Sequence, residues 1–405
     1  MLFTFRKAVS DKGHPKDVLL SAVQKNVRRG QVAKALYAAI ELERFSELPQ
    51  AKALVTNLVN RLRVILGEET GGSLTCPMLA AAFDREFRTF EANRAGDPEP
   101  VQSLRRAALI NMVTMLAEAP KQRLISDIKA VYFTPAARAF ALASDDRDLV
   151  ALFPQIYHTD PAVVAERYPL LNDDDAATFR PIVDGMLSAF KNKSHHGFYW
   201  LSRLVDAVEN KTPVGARRID ATSHAAAHPM WLAFELYRAY ANRGARLWDA
   251  TAPEPDVVCA RRLNDMLDLC VDYYKHFGLK KAGAQASHRD WIIFVIWPML
   301  YCVSNVDWAH NARHFTLVTP LQADAHYAAH IAAPAREIDD YALDQHTAQG
   351  RALKRGPDYF ATVGAFTTNQ DETLFFPNYR RLYEAFKQHQ ASDASAQQSK
   401  KRRKQ

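Results

Sequence analysis

The amino-acid sequence predicts an all-α fold, a set of helical bundle modules, on three observations. Apolar residues recur at intervals of three, four and seven, as in Leu54, Val55, Leu58, Val59, Leu62, Ile65 and Leu66. This lines one face of a helix while Asn57, Asn60, Arg61 and Arg63 supply the polar face. The alternation of apolar and polar residues that marks a half-buried strand is rare. Glycines fall mainly between the periodic runs, where they punctuate helices instead of building them.

The elements follow in order. Helical spacing is read at 17–44, 54–66, 104–118, 124–142, 196–208, 228–241, 258–277 and 289–303. The last contains the longest apolar run, Trp291 to Val303; it is too short for a bilayer span of roughly 20 residues and is interrupted by Pro298, so it reads as a buried helix. Breaks are placed at "GDPEP" (96–100), "YPLLNDDDAATFRP" (168–181), "ATAPEPD" (250–256) and "IAAPAREIDD" (331–340), which combine turn formers with the acids that favour helix starts. The expected organisation is a helical domain over 1–148, a connecting segment over 149–180, a second helical domain over 181–320, a C-terminal helical segment over 321–390 and a basic tail over 391–405. "LLSAVQKNVRRGQVAKALYAAIELE" (19–43) and "GMLSAFKNKSHHGFYWLSRLVDA" (185–207) echo one another: Leu-Ser-Ala, a basic turn with glycine, then a helix bearing tyrosine. Either a duplicated helical unit or shared composition explains the echo.

With 405 residues, 48% hydrophobic and 24% charged, the chain is long enough for two or three domains with real cores. The net charge of +7 arises from 52 basic and 45 acidic residues, a mild excess that would not by itself hold a nucleic-acid duplex. Cys76, Cys259, Cys270 and Cys302 are widely scattered, which suggests neither a zinc site nor a disulfide framework and fits a reducing, intracellular setting. The N-terminus carries no apolar stretch of secretory length, and no membrane partner is expected.

Several constellations carry chemistry. Arg61 and Glu68, seven apart, share a helix face, and Gly71 or Gly72 suits the left-handed residue that ends a helix. The group reads as an ion-paired helix end or as a contact with DNA or a second subunit. "DDYALDQHTAQGRALKRG" (339–356) sets Asp344, His346 and Thr347 close together. A carboxylate beside an imidazole can poise a general base, but no nucleophile or metal completes a catalytic set, and a turn capping the next helix is the competing reading. Arg351, Lys354 and Arg355 follow, with Tyr359 and Phe360 near enough to stack on a base or to fill a core. Lys280, Lys281, His288 and Arg289 flank a glycine-containing loop as a second basic patch. Lys400, Lys401, Arg402, Arg403 and Lys404 form a basic end that reads as an import signal, a nucleic-acid tether or a solubilising tail. His224 with His228, His310 with His314 and His326 with His330 are spaced four apart, but all lack the glutamate and nearby cysteines of a zinc site, and no metal is expected. Most of the six tryptophans fall within apolar helical spacing, so the group reads as core, with a stacking platform as the alternative.

The segment from about 17 to 133 resembles the C-terminal helical part of the MgsA/RarA and Werner-helicase-interacting ATPases, relatives of the clamp loaders. The likeness rests on four stretches: 19–43, a helix, a basic turn and an alanine-tyrosine helix; "LVNRLRVILGEETG" (58–71); "LAAAFDREF" (79–87); and "MVTMLAEAPKQ" (112–122). They cover under a third of the chain and include no catalytic signature. The resemblance implies a collar-like module that joins subunits and works beside DNA at replication forks. The chain lacks a Gly-x-x-x-x-Gly-Lys-Ser/Thr phosphate loop, so neither a motor nor a nucleotide cofactor is expected. Glu69 stands where that family prefers Asp, and Gly67 where it has a small hydroxyl residue. Asp344-x-His346-Thr347-x-x-Gly350-Arg351 is similar to a motif in uncharacterised proteins of large DNA viruses, which implies no activity. The expected function is therefore a non-catalytic protein of DNA replication or repair, oligomeric or bound to a replication partner, in a nuclear or viral replication compartment. The alternative is a structural or assembly protein of a large DNA virus.

Overall fold

The computed structural model describes residues 8–47, 52–71, 76–93, 97–153, 171, 175–215, 228–278, 290–306, 315–345, 347–356, 359, 381–382, 384–390 and 392. The fold is all-α, and the described residues include no strand. Their α-helices are α1 (Lys16–Arg28), α2 (Val32–Glu43), α3 (Lys52–Thr70), α4 (Leu79–Ala92), α5 (Glu99–Glu118), α6 (Leu124–Tyr132), α7 (Pro135–Ala143), α8 (Arg147–Val150), α9 (Ala176–Asn192), α10 (His196–Glu209), α11 (Met230–Arg243), α12 (Val257–Gly278), α13 (Ile293–Val303), α14 (Pro320–Ala332) and α15 (Ala348–Ala352).

Contacts divide the chain into two compact units, one of Met1–Arg123 with His310–Asp371 and the other of Leu124–Ala309 with Glu372–Gln405. This differs from the division expected at 149 and 321. The 321–390 stretch is no separate module, because α14 packs on α5 and α2 of the first unit and buries Ala323 and Tyr327 against Ile40, Ala107 and Ile110. The first helical domain, expected to run to 148, gives up α6, which packs on α10 and α13 of the second unit. Turn formers mark where a chain bends, and a bend inside a domain reads the same as one between domains.

Each unit is wound on one helix that is buried on all sides over most or all of its length, the pattern of a core helix. In the first unit this is α5, whose residues from Ala107 to Ala117 are all buried, with α1, α2, α3, α4 and α14 around it. In the second it is α13, every residue of which is buried, with α6, α9, α10, α11 and α12 around it. The expected buried helix at 289–303 is thus the centre of a unit, and it continues through Pro298.

The two echoing stretches are both helical hairpins with three-residue connections and a left-handed residue in the turn. Gly30 (φ 68°) lies between α1 and α2, and Lys193 (φ 48°) between α9 and α10. The α9–α10 contact is close: a Cβ on Gly185 would lie 2.2 Å from the ring of Trp200. Trp200, Trp231 and Trp297 are buried, as the core reading expects, while Trp248 and Trp291 are half-buried and Trp308 lies outside the described residues.

Candidate functional site

The end of α3 is tied inward. Glu69 is fully buried, its two carboxylate oxygens accepting from Arg28 Nε at 2.7 Å and Nη2 at 2.6 Å, and Gln24 Nε2 donates to it at 2.7 Å. Arg123 stands 3.7 Å away. Burial alone would raise this carboxyl, but the charges of Arg28 and Arg123, with hydrogen bonds from Arg28 and Gln24, hold it well below the usual 4.5, at about 2. The expected link between Arg61 and Glu68 is indirect. Gln24 on α1 bridges them, accepting from Arg61 Nη1 at 3.2 Å and donating to Glu68 at 3.1 Å. Gly71 ends the helix as expected, with φ 57° and its N–H donating to Gly67 O at 3.1 Å. A Cβ there would meet Gln122 Oε1 at 2.9 Å, and Gln122 N donates to Glu69 O at 2.9 Å, so the chain after α5 passes hard against this helix end. Lys121 is buried beside it, donating to the carbonyls of Leu116 (3.0 Å), Ala117 (2.8 Å) and Ala119 (2.5 Å) that α5 leaves unpaired at its C-terminus. Sequence reading singled out Glu68, but Glu69 is the buried centre. Its partner Arg28 lies 41 residues away, a pairing that no local pattern encodes.

The 339–356 stretch folds as a capped turn. Thr347 is buried; its hydroxyl donates to Asp344 O at 2.7 Å and accepts from Gly350 N at 2.9 Å, which starts α15. A Cβ at Gly350 would sit 1.9 Å from Asp344 O, so this position admits only glycine. The Asp344 carboxylate is part-exposed and 3.9 Å from Lys25 Nζ. His346 lies outside the described residues, so the Asp344–His346 pairing is undescribed, whereas Thr347 caps a helix. The preceding residues dock on α1: Ser21 Oγ donates to Ala342 O at 2.6 Å, Lys25 Nζ to Leu343 O, and Tyr341 OH to Asn26 at 2.7 Å.

Beyond the cap, Arg351, Lys354 and Arg355 are exposed. Lys354 and Arg355 have no ion-pair partner among the described residues, and Arg355 stands 5.4 Å from the ring centre of Tyr359. Lys280, Lys281, Arg289, Lys400, Lys401, Arg402 and Arg403 lie outside the described residues. Of the histidine pairs, His224, His310 and His314 also lie outside them. His228 stands 3.2 Å from Tyr274 OH, and His330 is turned to Glu41 at 2.6 Å while His326 is exposed. No group of three or more His, Cys, Asp or Glu stands ready for a metal among the described residues.

The His330–Glu41 pair is part of a polar cluster missed in the sequence. His14 Nε2 stands 2.9 Å from Tyr37 OH, Arg336 N donates to that hydroxyl at 3.0 Å, and Lys12 donates to His330 O at 2.5 Å and Ala333 O at 2.6 Å. Lys12 caps the C-terminus of α14 here and the imidazole fastens that helix to α2, so these groups are spent on packing.

The second unit holds a cleft of about 470 Å³ between α9, α11, α12 and the end of α13. Lys193, Tyr240, Tyr301, Ser304 and Asn305 line its polar side, with Leu263, Pro255 and Val306 among the apolar residues. Lys193 Nζ donates to Tyr240 OH and, at 3.0 Å, to Cys302 O. Burial pulls the Lys193 ammonium down from its ordinary value and pushes the Tyr240 phenol up to about 12.

The chain matches no protein-family profile, no curated protein and no solved structure. No described helix is long and apolar enough to cross a membrane.

Proposed function

We propose that the protein is a non-catalytic, helical protein associated with DNA replication or repair, in which the first unit serves as a collar-like docking module and basic loops contact DNA. The observation that carries the reading is the exposed pair Lys354 and Arg355, without carboxylate partners among the described residues and with a tyrosine ring 5.4 Å from the Arg355 guanidinium. Cations beside a ring suit a phosphate and an unstacked base, and the rigid cap at Thr347 precedes them. The resemblance of 19–43, 58–71, 79–87 and 112–122 to the MgsA/RarA collar adds support, since these stretches fall on α1 to α5 and the turn after them.

The test is binding of fluorescent oligonucleotides across a salt series. Each phosphate contact contributes about 0.7 to 0.9 to the slope of log affinity against log salt. The Lys354→Ala/Arg355→Ala double variant should lower that slope by about 1.5, roughly two contacts. An unchanged slope, or no binding at low salt, overturns the reading. The assembly reading draws support from the adjacent exposed valines at the start of α12, Val257 (70%) and Val258 (52%), apolar surface that suits a protein contact. Particle mass in solution separates the two: salt-insensitive self-association without DNA binding favours assembly.

A further inference from the structure

The cleft of the second unit contains a charge that the protein does not balance. Lys193 Nζ is half-buried, and the two groups it donates to, the Tyr240 hydroxyl and the Cys302 carbonyl, are both neutral. Lys193 makes no ion pair with any carboxylate among the described residues. An ammonium has three N–H donors, so one remains for a further acceptor. Two residues beyond Cys302, Ser304 is among the residues lining the same cleft; it is 6% exposed and its buried hydroxyl has no hydrogen-bond partner among the described residues. A buried hydroxyl without a partner and a part-buried cation without a counter-charge each cost stability. One bound anion relieves both costs. A metal cation would be repelled by the ammonium. The remaining wall, with Leu263, Pro255 and Val306, offers apolar surface, and about 470 Å³ is the scale of a small-molecule site.

We propose that this cleft binds a small amphipathic anion, whose carboxylate or phosphate head is held by Lys193 Nζ and Ser304 Oγ while its apolar body lies against Leu263, Pro255 and Val306. The site lies wholly in the second unit and does not depend on the DNA reading, which concerns residues of the first.

The full-length protein is titrated with octanoate, octyl phosphate, octanamide and inorganic phosphate by calorimetry, with thermal unfolding alongside. Octanoate or octyl phosphate should bind saturably and raise the unfolding temperature, and the tighter of the two identifies the head group. Octanamide, which lacks the charge, should bind at least about tenfold more weakly. The Lys193→Met variant should lose about tenfold or more, and Ser304→Ala about threefold to tenfold. No saturable binding by either anion, equal binding of octanamide, or unchanged affinity in folded Lys193→Met overturns the proposal. Inorganic phosphate binding as tightly as octyl phosphate removes the apolar half of it. If Lys193→Met fails to fold, the octanamide comparison and Ser304→Ala decide.

Discussion

Replacing Glu69 by Gln tests the buried tie between α1 and α3. The change keeps the shape but removes the charge that Arg28 and Arg123 face, and sets an amide N–H against guanidinium donors. Breaking one side of a buried pair leaves the other charge uncompensated, at a cost of about 3–5 kcal/mol. An independent route gives a similar figure. The folded carboxyl titrates at about 2 against an ordinary 4.5, and at ~1.4 kcal/mol for each pH unit the difference is about 3 kcal/mol. Because the folded value is the lower one, this stabilisation is fully present above 4.5 and is lost as pH falls through 2. Urea unfolding followed by circular dichroism should show Glu69→Gln about 3 kcal/mol less stable near neutral pH. The gap to the parent should narrow steadily as the pH approaches 2. Tryptophan fluorescence should shift little at low urea, since all six tryptophans lie between 200 and 308, within the second unit. A neutral-pH loss under about 0.5 kcal/mol, or a gap that is constant with pH, would refute the claim that this pair holds the helix end.

Three further outcomes are expected. Gly185→Ala should cost at least about 1–3 kcal/mol, because the new methyl meets Trp200, and the fluorescence of that unit should report the loss directly; full stability would mean α9 and α10 are not so close. Lys121→Met leaves the carbonyls of Leu116, Ala117 and Ala119 without their charged donor and should cost about 2–3 kcal/mol in urea unfolding. Thr347→Ala removes the cap of α15 and should speed amide exchange at Gly350, with a global loss of only about 1 kcal/mol; unaltered exchange there would contradict the capping role.

The parts of the fold that were legible are those encoded within a few residues. The periodicity at 54–66 gave α3, the apolar run at 289–303 gave a buried helix, and Gly71 gave a helix end, since each depends on spacing along one helix. Pairings across hundreds of residues were not legible. Tyr327 donates to Glu43 Oε2, 284 positions away, and neither residue carries a local mark of the other. The cleft was hidden for the same reason: Lys193 reads as one cation in a basic turn until Tyr240, Cys302 and Ser304 are brought around it. Thr347 and Gly350 were visible as a motif, but their role follows from the distance to Asp344 O, which the sequence does not carry.

Three buried carboxylate links of the first unit share a geometry that gives them a role beyond stability. Arg28–Glu69 joins α1 to α3, Arg105–Glu43 joins α5 to α2, and His330–Glu41 joins α14 to α2. Arg105 also donates to Phe90 O at 3.0 Å and Asn93 O at 2.8 Å, closing the end of α4. The faces they connect are rich in alanine and leucine, whose burial is non-directional and penalises a one-residue slip less sharply than a buried charge that loses its partner. Such a slip turns a helix by about 100°, which would carry Glu41, Glu43 or Glu69 away from its partner and leave a buried charge unpaired. The apolar stripe therefore drives the helices together while the charges select one register. On this argument an apolar replacement of both Arg28 and Glu69 would cost less stability than Glu69→Gln alone, since only the part-exposed Arg123 then faces the altered site, while it would loosen the fit of α1 on α3. The double replacement thus separates specificity from strength.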